Sequence, residues 1–256
     1  MFDAIALRYD FLNHFLSGGI DRRWRRRAIR SLKLTGAERV LDLCSGTADL
    51  AIAACRATPS AARVVGVDFA QAMLRVGQEK LERQGLTKVI ALVRGDATRI
   101  PIASGSVDVV TIAFGIRNVE NTGAAFDEMC RVLVPGGRIA ILEFATPDAP
   151  VVRAAYRWYC NHVLPRIGRL LSRHHDAYGY LPASIEAFDS PHELVKRLQQ
   201  SGFTSVTASP LTFGVVYLYE GRRGWRLEVG GRMVGPVRNS ESLIPVPNPQ
   251  SLTSNL

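Results

Sequence analysis

The sequence predicts an α/β fold: a doubly wound, seven-stranded, mostly parallel sheet of the Rossmann-like kind, preceded by N-terminal helices. From residue 39 to about residue 144, short and nearly continuous apolar runs alternate with segments of helical composition. Such runs are typical of parallel strands that are buried on both faces. Two further apolar runs near residue 210 lie too close together for a crossover helix, so we expect them to pair antiparallel. The length of 256 residues suits one such domain.

The predicted strands are short and rich in branched aliphatic residues, as β-strands usually are. They cover 39–43, 63–67, 89–94, 107–114, 138–144, 204–209 and 213–219. The predicted helices cover 48–57, 70–83, 121–133, 150–171 with a kink at Pro165, and about 176–187. Ser190 and Glu193 form a capping box that begins a last helix, which ends near Gly202.

The two ends of the chain differ from the central region. Near the N-terminus, apolar residues recur at spacings of three and four, which is typical of one helix face. They are Phe2, Ile5, Tyr9, Leu12 and Leu16. Asp21 is expected to cap the arginine-rich helix that follows. The end of the chain is rich in proline, serine and asparagine, which indicates disorder. We therefore divide the chain into a helical segment covering the active site (1–35), a central domain (36–223) and a tail (224–256).

The formal net charge is +9, a balance that favours anionic partners. Much of this charge lies in one short segment. It contains Arg22, Arg23, Arg25, Arg26, Arg27 and Arg30. A solvated helix face and a surface for anionic lipid headgroups are both compatible with such a cluster. A nucleic-acid partner is not expected, because few aromatic residues are interleaved with the arginines.

The cysteines and the apolar runs limit which other classes of protein the sequence can encode. Cys44, Cys55, Cys130 and Cys160 form no C-x-x-C pair, so we expect buried free thiols and no metal site. No apolar run approaches the roughly 18 residues that a membrane-spanning helix needs. The N-terminus lacks the pattern of a signal peptide. The expected location is therefore cytoplasmic.

Acidic residues follow three consecutive predicted strands. Asp42 ends the first strand and precedes a loop of small residues that includes Gly46, where a backbone can approach a ligand closely. Asp68 ends the second strand, where a carboxylate can accept both ribose hydroxyls of a nucleoside. Asp96, with Ala97, follows the third strand and can accept a hydrogen bond from an adenine amino group. Ligands of doubly wound sheets bind at this edge.

Two kinds of ligand are compatible with this pattern of acidic residues. A dinucleotide would place its pyrophosphate at the helix N-terminus, where carboxylates such as Asp42 and Asp49 are unfavourable. S-adenosylmethionine has no phosphate, and its sulfonium and ammonium groups are attracted to carboxylates. The pattern favours S-adenosylmethionine over NAD. The alternative is that Asp42 and Asp49 only cap the first helix of the central domain and do not contact a ligand.

Longer motifs extend beyond the glycine loop. They are YDFLN at 9–13, SGGID at 17–21 with Trp24, VLDLCSGTADL at 40–50, FGIRN at 114–118, RVLVPGG at 131–137, LEF at 142–144, HVLPRIG at 162–168, Tyr180-Leu181 with Ser184-Ile185, and GVV at 214–216. With these motifs the chain resembles the quinone-biosynthesis C-methyltransferases over residues 1 to about 223. The loop is common to many methyltransferases, whereas the YD-x-x-N start, FGIRN and HVLPRIG are more specific.

The resemblance implies that S-adenosylmethionine is the cofactor and that a demethylmenaquinol is converted to a menaquinol, the final step of menaquinone biosynthesis. It also implies that Thr47, Asp68 and the Asp96–Ala97 pair contact the cofactor. A benzoquinol of the ubiquinone pathway is the alternative substrate, and an NAD-dependent oxidoreductase or a non-catalytic binding protein is a more distant alternative. The expected partners are therefore a prenylated naphthoquinol or benzoquinol and, transiently, the inner face of the cell membrane, and a homodimer is left open.

The sequence departs from the pattern of this family at three positions. The usual G-T-G-D loop reads Gly46 to Asp49 with Ala48 in its third place, and alanine disfavours a positive φ, so we expect the loop to sit differently. Ala113 stands where relatives can carry a cofactor-binding serine. Asp96 stands where relatives often have asparagine.

Methylation of a hydroquinone carbon requires that a ring oxygen lose its proton and that the resulting phenolate be stabilised. Arg117 cannot act as a base, but it can stabilise the phenolate, and Asn118 can donate a second hydrogen bond. Glu143 is a candidate base or a partner of Arg117, and Arg117 would be structural if it only formed an ion pair. His162 is a further candidate proton acceptor, although a packed histidine is the commoner case. Tyr9 and Tyr180 are candidates for the wall of the ring pocket.

Overall fold

The computed structural model describes residues 19–57, 63–163 and 183–224. Seven strands form one sheet: β1 Arg39–Leu43, β2 Arg63–Asp68, β3 Ile90–Arg94, β4 Val107–Ala113, β5 Leu133–Phe144, β6 Phe203–Leu211 and β7 Val216–Arg223. The helices are α1 Asp21–Ser31, α2 Asp49–Arg56, α3 Gln71–Arg83, α4 Thr122–Val132, α5 Pro150–Trp158 and α6 Pro191–Gln200. Residues 183–187 are also helical.

The strand order is β3-β2-β1-β4-β5-β7-β6. The strands from β3 to β5 pair parallel, and β7 pairs antiparallel with both β5 and β6. The predicted fold class is therefore confirmed, including the reversed strand near one edge. The order reverses between β1 and β4, so the carboxyl ends of these two strands form the crevice in which doubly wound proteins bind ligands.

Each face of the sheet is covered by its own helices. Successive residues of a strand point to opposite faces, so Val40 packs with α1, α2 and α3, whereas Leu41 packs with α4 and α6. Both faces are therefore apolar, which explains why β1 to β4 are nearly continuous hydrophobic runs.

The largest differences from the predicted strand boundaries are at the start of β5 and in β6 and β7, which end at Leu211 and Arg223 and so extend beyond the predicted 209 and 219. β5 begins at Leu133, before the Pro135–Gly137 segment that resembles a turn, because Leu133 pairs with Val107 ahead of an irregularity, after which Val109 pairs with Arg138. The last predicted strand begins too early. Thr212–Gly214 forms a 3₁₀ turn, and β7 starts at Val216. The apolar character of Phe213 suggested a strand, but its φ of 56° interrupts the extended chain.

α1 belongs to the central core. Its residues Trp24, Ala28 and Ile29 are buried in the cluster that covers the first face of the sheet. The segment 1–35 is therefore not separate from the central domain in its described part. Asp21 is the first helical residue and not the cap. Its side chain forms an ion pair with Arg25, and Ile20 occupies the cap position without a side-chain hydrogen bond.

Several expectations fall on residues outside the described part of the chain: the helix of residues 2–16, the kink at Pro165, most of the helix at 176–187, and the tail beyond Gly224. The expectation for the cysteines was half right. Cys55 and Cys160 are buried, whereas Cys44 and Cys130 are partly exposed. Among the described residues, no helix combines the length and the hydrophobicity needed to cross a membrane.

Candidate active site

A cavity of about 910 Å³ lies at the carboxyl ends of β1 to β4. This volume is within the range of small-molecule sites. Its walls include Cys44, Gly46, Asp68, Phe69, Met73, Asp96, Ala97, Ala113, Phe114, Gly115, Asn118, Glu120 and Asn121. Gly46, Asp68, Asp96, Ala97 and Asn118 were predicted as site residues, and the structure brings these five together around one cavity.

The loop between β1 and α2 forms one wall of the cavity. Gly46 has a φ of +53°, and nothing lies within 4 Å of the position that a Cβ would occupy. Ala48 also has a positive φ, 67°, although alanine disfavours this conformation. Alanine accepts the left-handed conformation at an energetic cost, because the surrounding contacts hold it there.

Asp68 holds this loop against the end of β2. One carboxylate oxygen accepts a hydrogen bond from the backbone N–H of Gly46 at 2.8 Å, and the other accepts from that of Ala70 at 2.8 Å. The side chain is partly exposed and lines the cavity. Asp68 therefore fixes the loop and still presents a carboxylate to a ligand.

Asp42 lies beneath the loop and does not line the cavity. Its oxygens accept hydrogen bonds from the hydroxyl of Thr111 at 2.8 Å and from the backbone N–H of Ala51 at 3.1 Å. Ala51 is the third residue of α2, so Asp42 supplies the cap that Ala48 cannot provide. Burial raises the pKa of the Asp42 carboxyl to about 7, against the opposing effect of its two hydrogen bonds. Asp42 was expected to contact the cofactor directly, but it lies outside the cavity lining. Its position fits the alternative, in which it caps α2.

Thr47 and Asp49 face away from the cavity, towards α3. The ammonium group of Lys80 donates to the Asp49 carboxylate at 2.7 Å and to the Thr47 hydroxyl at 3.2 Å. Thr47 was predicted to bind the cofactor, but its buried side chain is part of this polar cluster behind the loop. Its sequence position could not reveal this, because the partner on α3 is 33 residues away.

The ends of β2 and β3 supply the outer wall. Asp96 accepts hydrogen bonds from the backbone N–H and the hydroxyl of Thr98, both at 2.8 Å, which orients its carboxylate at the cavity rim. Phe69 follows Asp68 directly and leaves 71% of its surface exposed. We did not predict Phe69 from the sequence. The sequence feature that could have indicated it is an aromatic residue directly after the aspartate that ends a strand.

The loops after β1 and β4 meet closely at the base of the cavity. A Cβ built on Gly115 would lie 2.3 Å from the Cβ of Cys44, so only glycine fits there. Residues Ile116–Asn118 follow as a 3₁₀ turn. Asn118 closes this turn with a hydrogen bond from its backbone N–H to the carbonyl of Gly115 and lines the cavity.

Arg117 and Glu143 form a buried ion pair beside this turn. Their side chains are 2.6 Å apart, and Glu143 is fully buried at the end of β5. Arg117 also donates to the carbonyl of Phe114 at 2.7 Å, and its backbone N–H donates to Glu143 at 3.3 Å. Its Nε lies 3.4 Å from the hydroxyl of Ser184. Of the two roles expected of Glu143, the geometry fits the partner of Arg117.

The remaining proton-acceptor candidate lies elsewhere. His162 is exposed on the π-helical turn Tyr159–Val163, where it stacks on Trp158. Its Nδ1 lies 3.1 Å from the carbonyl of Trp158, which requires that Nδ1 carry the proton. Tyr9 and Tyr180 lie outside the described residues.

The residues of the cavity fit S-adenosylmethionine. The open side of Gly46 allows its backbone to approach a ligand without side-chain interference, and Gly115 lets the loop after β4 pack closely on the loop after β1. Asp68 and Asp96 offer acceptors for hydroxyl and amino groups, and Phe69 offers an exposed ring to a purine. A pyrophosphate would need the backbone N–H groups of this loop, whereas that of Gly46 already donates to Asp68.

Solved structures share this fold. A SAM-dependent methyltransferase from Aquifex aeolicus aligns with a TM-score of 0.58 at 16% identity, over 78% of this chain and 89% of that one. A putative methyltransferase, solved in complex with the Haloferax volcanii Trm112 activator, aligns with a TM-score of 0.63 at 17% identity, over 87% and 97%. These likenesses show the fold, and the match of a methyltransferase family model to residues 1–223 defines the class: the protein is a methyltransferase that uses S-adenosylmethionine.

Within this class, the chain belongs to the ubiE/COQ5 methyltransferase family, whose model matches residues 1–223. It is 48% identical to "Ubiquinone/menaquinone biosynthesis C-methyltransferase UbiE" of Syntrophotalea carbinolica, over 87% of this chain and 92% of the relative. It is 44% identical to "Demethylmenaquinone methyltransferase" of Thermus thermophilus, over 87% of this chain and all of the relative. The resemblance deduced from the motifs is confirmed, and the NAD-dependent alternative is set aside.

Proposed function

We propose that this enzyme methylates a ring carbon of a prenylated naphthoquinol and so converts a demethylmenaquinol to a menaquinol. The similarity to relatives named as demethylmenaquinone methyltransferases, which extends over 87% of the chain, carries this proposal. A benzoquinol is the second candidate, because a 48% identical relative is named for both quinone pathways.

Bound in the cavity, S-adenosylmethionine would supply a methyl group that is activated towards carbon nucleophiles. The contribution of the protein is to hold the two reactants in line and to keep water out, and positioning of this kind can be worth roughly 7–11 kcal/mol. Gly46, Asp68, Phe69 and the Asp96–Ala97 pair would hold the nucleoside. Asn118 lies in the cavity wall after β4, where its amide can donate to a ring oxygen as that oxygen becomes negative.

Arg117 supports the same step from behind the turn. Its bonds to Phe114 and Glu143 fix the 116–118 segment, and through it Asn118. We infer that Arg117 is a positioning residue and that Glu143 balances its charge, so neither would accept a proton in the reaction. The positive charge of Arg117 would stabilise a substrate phenolate directly if the ring lay on the side of Arg117 that faces Ser184.

The direct test is methylation of chemically reduced quinones by the purified enzyme. With labelled S-adenosylmethionine, we expect label in a demethylnaphthoquinol and none when the same quinone is left oxidised, because the oxidised ring is not a carbon nucleophile. A demethylated benzoquinol is the matched second substrate. Label in the benzoquinol alone would replace the naphthoquinol proposal, and label in neither would contradict both.

Arg117→Lys tests the role of the ion pair. Lysine keeps the charge but not the planar group that bridges Phe114 and Glu143. We expect a large loss of kcat, with the affinity for S-adenosylhomocysteine nearly intact. A variant that keeps its turnover and only unfolds at a lower temperature would instead assign Arg117 a structural role.

A further inference from the structure

Three large apolar side chains are exposed around the connection between β6 and β7. Phe213 and Val151 each leave 82% of their surface exposed, and Ile20 leaves 36%. β7 begins opposite the carboxyl end of β5, so this connection lies at the same edge of the sheet as the cavity. Exposed apolar residues at the rim of an active site are typical of a surface that contacts another apolar phase.

Hydrogen bonds hold these residues in one contiguous region. The indole N–H of Trp24 donates to the hydroxyl of Thr212 at 2.8 Å, and Ile20 lies one helical turn before Trp24. On the other side, the hydroxyl of Tyr217 donates to Asp148 at 3.2 Å, three residues before Val151. The connection between β6 and β7 is thereby joined both to the start of α1 and to the start of α5.

The backbone holds the ring of Phe213 outwards at an energetic cost. Thr212 and Phe213 have φ values of 46° and 56°, a left-handed conformation that L-residues with side chains seldom adopt. The hydrogen bond from Trp24 accounts for the position of Thr212, but the ring of Phe213 stays exposed and gains no packing from its strained backbone. A strained residue whose side chain has no packing benefit is a sign of a functional contact.

The adjacent face of α1 carries positive charge. Arg23 and Arg27 are exposed, lie one turn apart, and do not line the basic groove that α1 forms with α2. In the helical projection both lie on the same side of Trp24, next to Ile20. Every exposed residue of α1 is an arginine, and its one carboxylate, Asp21, is buried.

We propose that Ile20, Arg23, Arg27, Val151 and Phe213 form a docking surface for an anionic lipid bilayer. Apolar tips beside arginines match the acyl boundary and the charged headgroups of such a membrane. Docking would place the rim of the cavity at the bilayer, where a prenylated quinol resides. The proposal rests on the proposed function for its purpose, but binding to vesicles can be measured without turnover.

The test is flotation of the full-length protein with vesicles of phosphatidylcholine alone or mixed with phosphatidylglycerol. We expect binding to the anionic vesicles. Phe213→Asn removes the ring and suits the left-handed backbone, so it should fold and should weaken binding about tenfold. The pair Arg23→Gln and Arg27→Gln should weaken it about thirtyfold.

The matched control is the pair Arg83→Gln and Lys88→Gln, which removes the same charge from exposed positions beyond the docking surface. It should bind as the wild type does. If both pairs of substitutions weaken vesicle binding equally, the effect is one of net charge and the proposal is wrong. Vesicle binding that is absent in the wild type, or unchanged in Phe213→Asn, would also overturn it. Methylation of a short-chain quinol in solution should be unaffected by Phe213→Asn. If the wild type methylates no quinol but the vesicle results hold, only the proposed function fails.

Discussion

Asp42 and Asp68 end neighbouring strands but face different surroundings. Asp68 is partly exposed at the cavity, whereas Asp42 is enclosed below the loop with Thr111 and the start of α2. Residue type and spacing predicted both as cofactor ligands. Burial separates them, and burial depends on how α2 packs over β1, which a single sequence does not reveal.

Asp68→Ala should weaken the binding of S-adenosylhomocysteine by roughly 2–4 kcal/mol, because it removes a charged acceptor and releases the Gly46 loop. Calorimetric titration measures the affinity. Glu79→Ala removes an equal charge from an exposed position on α3 and serves as the control. Unchanged affinity in Asp68→Ala would remove this residue from the binding site.

Asp42→Asn should change how stability depends on pH. The pKa of Asp42 is raised from its ordinary value of 3.8 to about 7 in the folded protein, so the folded state binds more protons between these values. Its contribution is complete below pH 4 and is lost as the pH rises through 7. Asparagine can accept from Ala51 and donate to Thr111, and it does not titrate.

Chemical denaturation at several pH values checks this expectation. Near pH 4 the variant and the wild type should have similar free energies of unfolding, which provides an internal control. As the pH rises to 7 or above, the variant should become the more stable of the two. A constant difference over this range would show that Asp42 does not titrate as described.

At the scale of the element, α2 begins in an unusual way. Ala48 occupies the cap position in a left-handed conformation, and the capping acceptor comes from β1 instead of from the helix. The motif G-T-A-D suggested a displaced loop, because a left-handed alanine is unfavourable in isolation. The contacts of the folded chain override this local preference.

Glycine substitutions in α2 can measure the strain. Ala48 and Ala51 are both fully buried, so each loses one buried methyl group when changed to glycine. At Ala51, glycine also loses about 1 kcal/mol of helix propensity. At Ala48, it relieves about 1–2 kcal/mol of left-handed strain. Ala48→Gly should therefore destabilise the protein less than Ala51→Gly by at least about 1 kcal/mol in denaturant titrations. Equal losses would mean that Ala48 is not strained.

The strands were predicted well where the sequence pattern is local. β1 to β4 begin and end within about one residue of their predicted bounds, because each is a run of branched aliphatic residues. The start of β5 was missed because Leu133 pairs with a residue of β4 ahead of an irregularity in the pairing. The start of β7 was missed because Trp24 holds Thr212 from a distant helix. Both errors come from contacts between segments far apart in the chain.

At the scale of the whole molecule, ligand binding should be coupled to global stability, because loops from four strands form the cavity. S-adenosylhomocysteine at 100 times its Kd should add about 2.7 kcal/mol to the free energy of unfolding. For a domain of this size the midpoint of thermal unfolding should rise by about 5–10 °C. NAD at the same concentration is the control and should give no rise. An equal rise with NAD would reopen the dinucleotide interpretation of the site.

The position of β7 also has a consequence for synthesis of the chain. β7 lies between β5 and β6, so the free side of β5 has no partner until residues 216–223 have been translated. Roughly 80 residues separate the ends of these two strands, which at about 5–20 residues per second corresponds to about 4–16 s on the ribosome. During this interval the part of β5 that pairs with β7, Arg138 to Phe144, presents an open hydrogen-bonding edge. Nascent chains of this enzyme should therefore depend on chaperone protection at that stage more than at any earlier one.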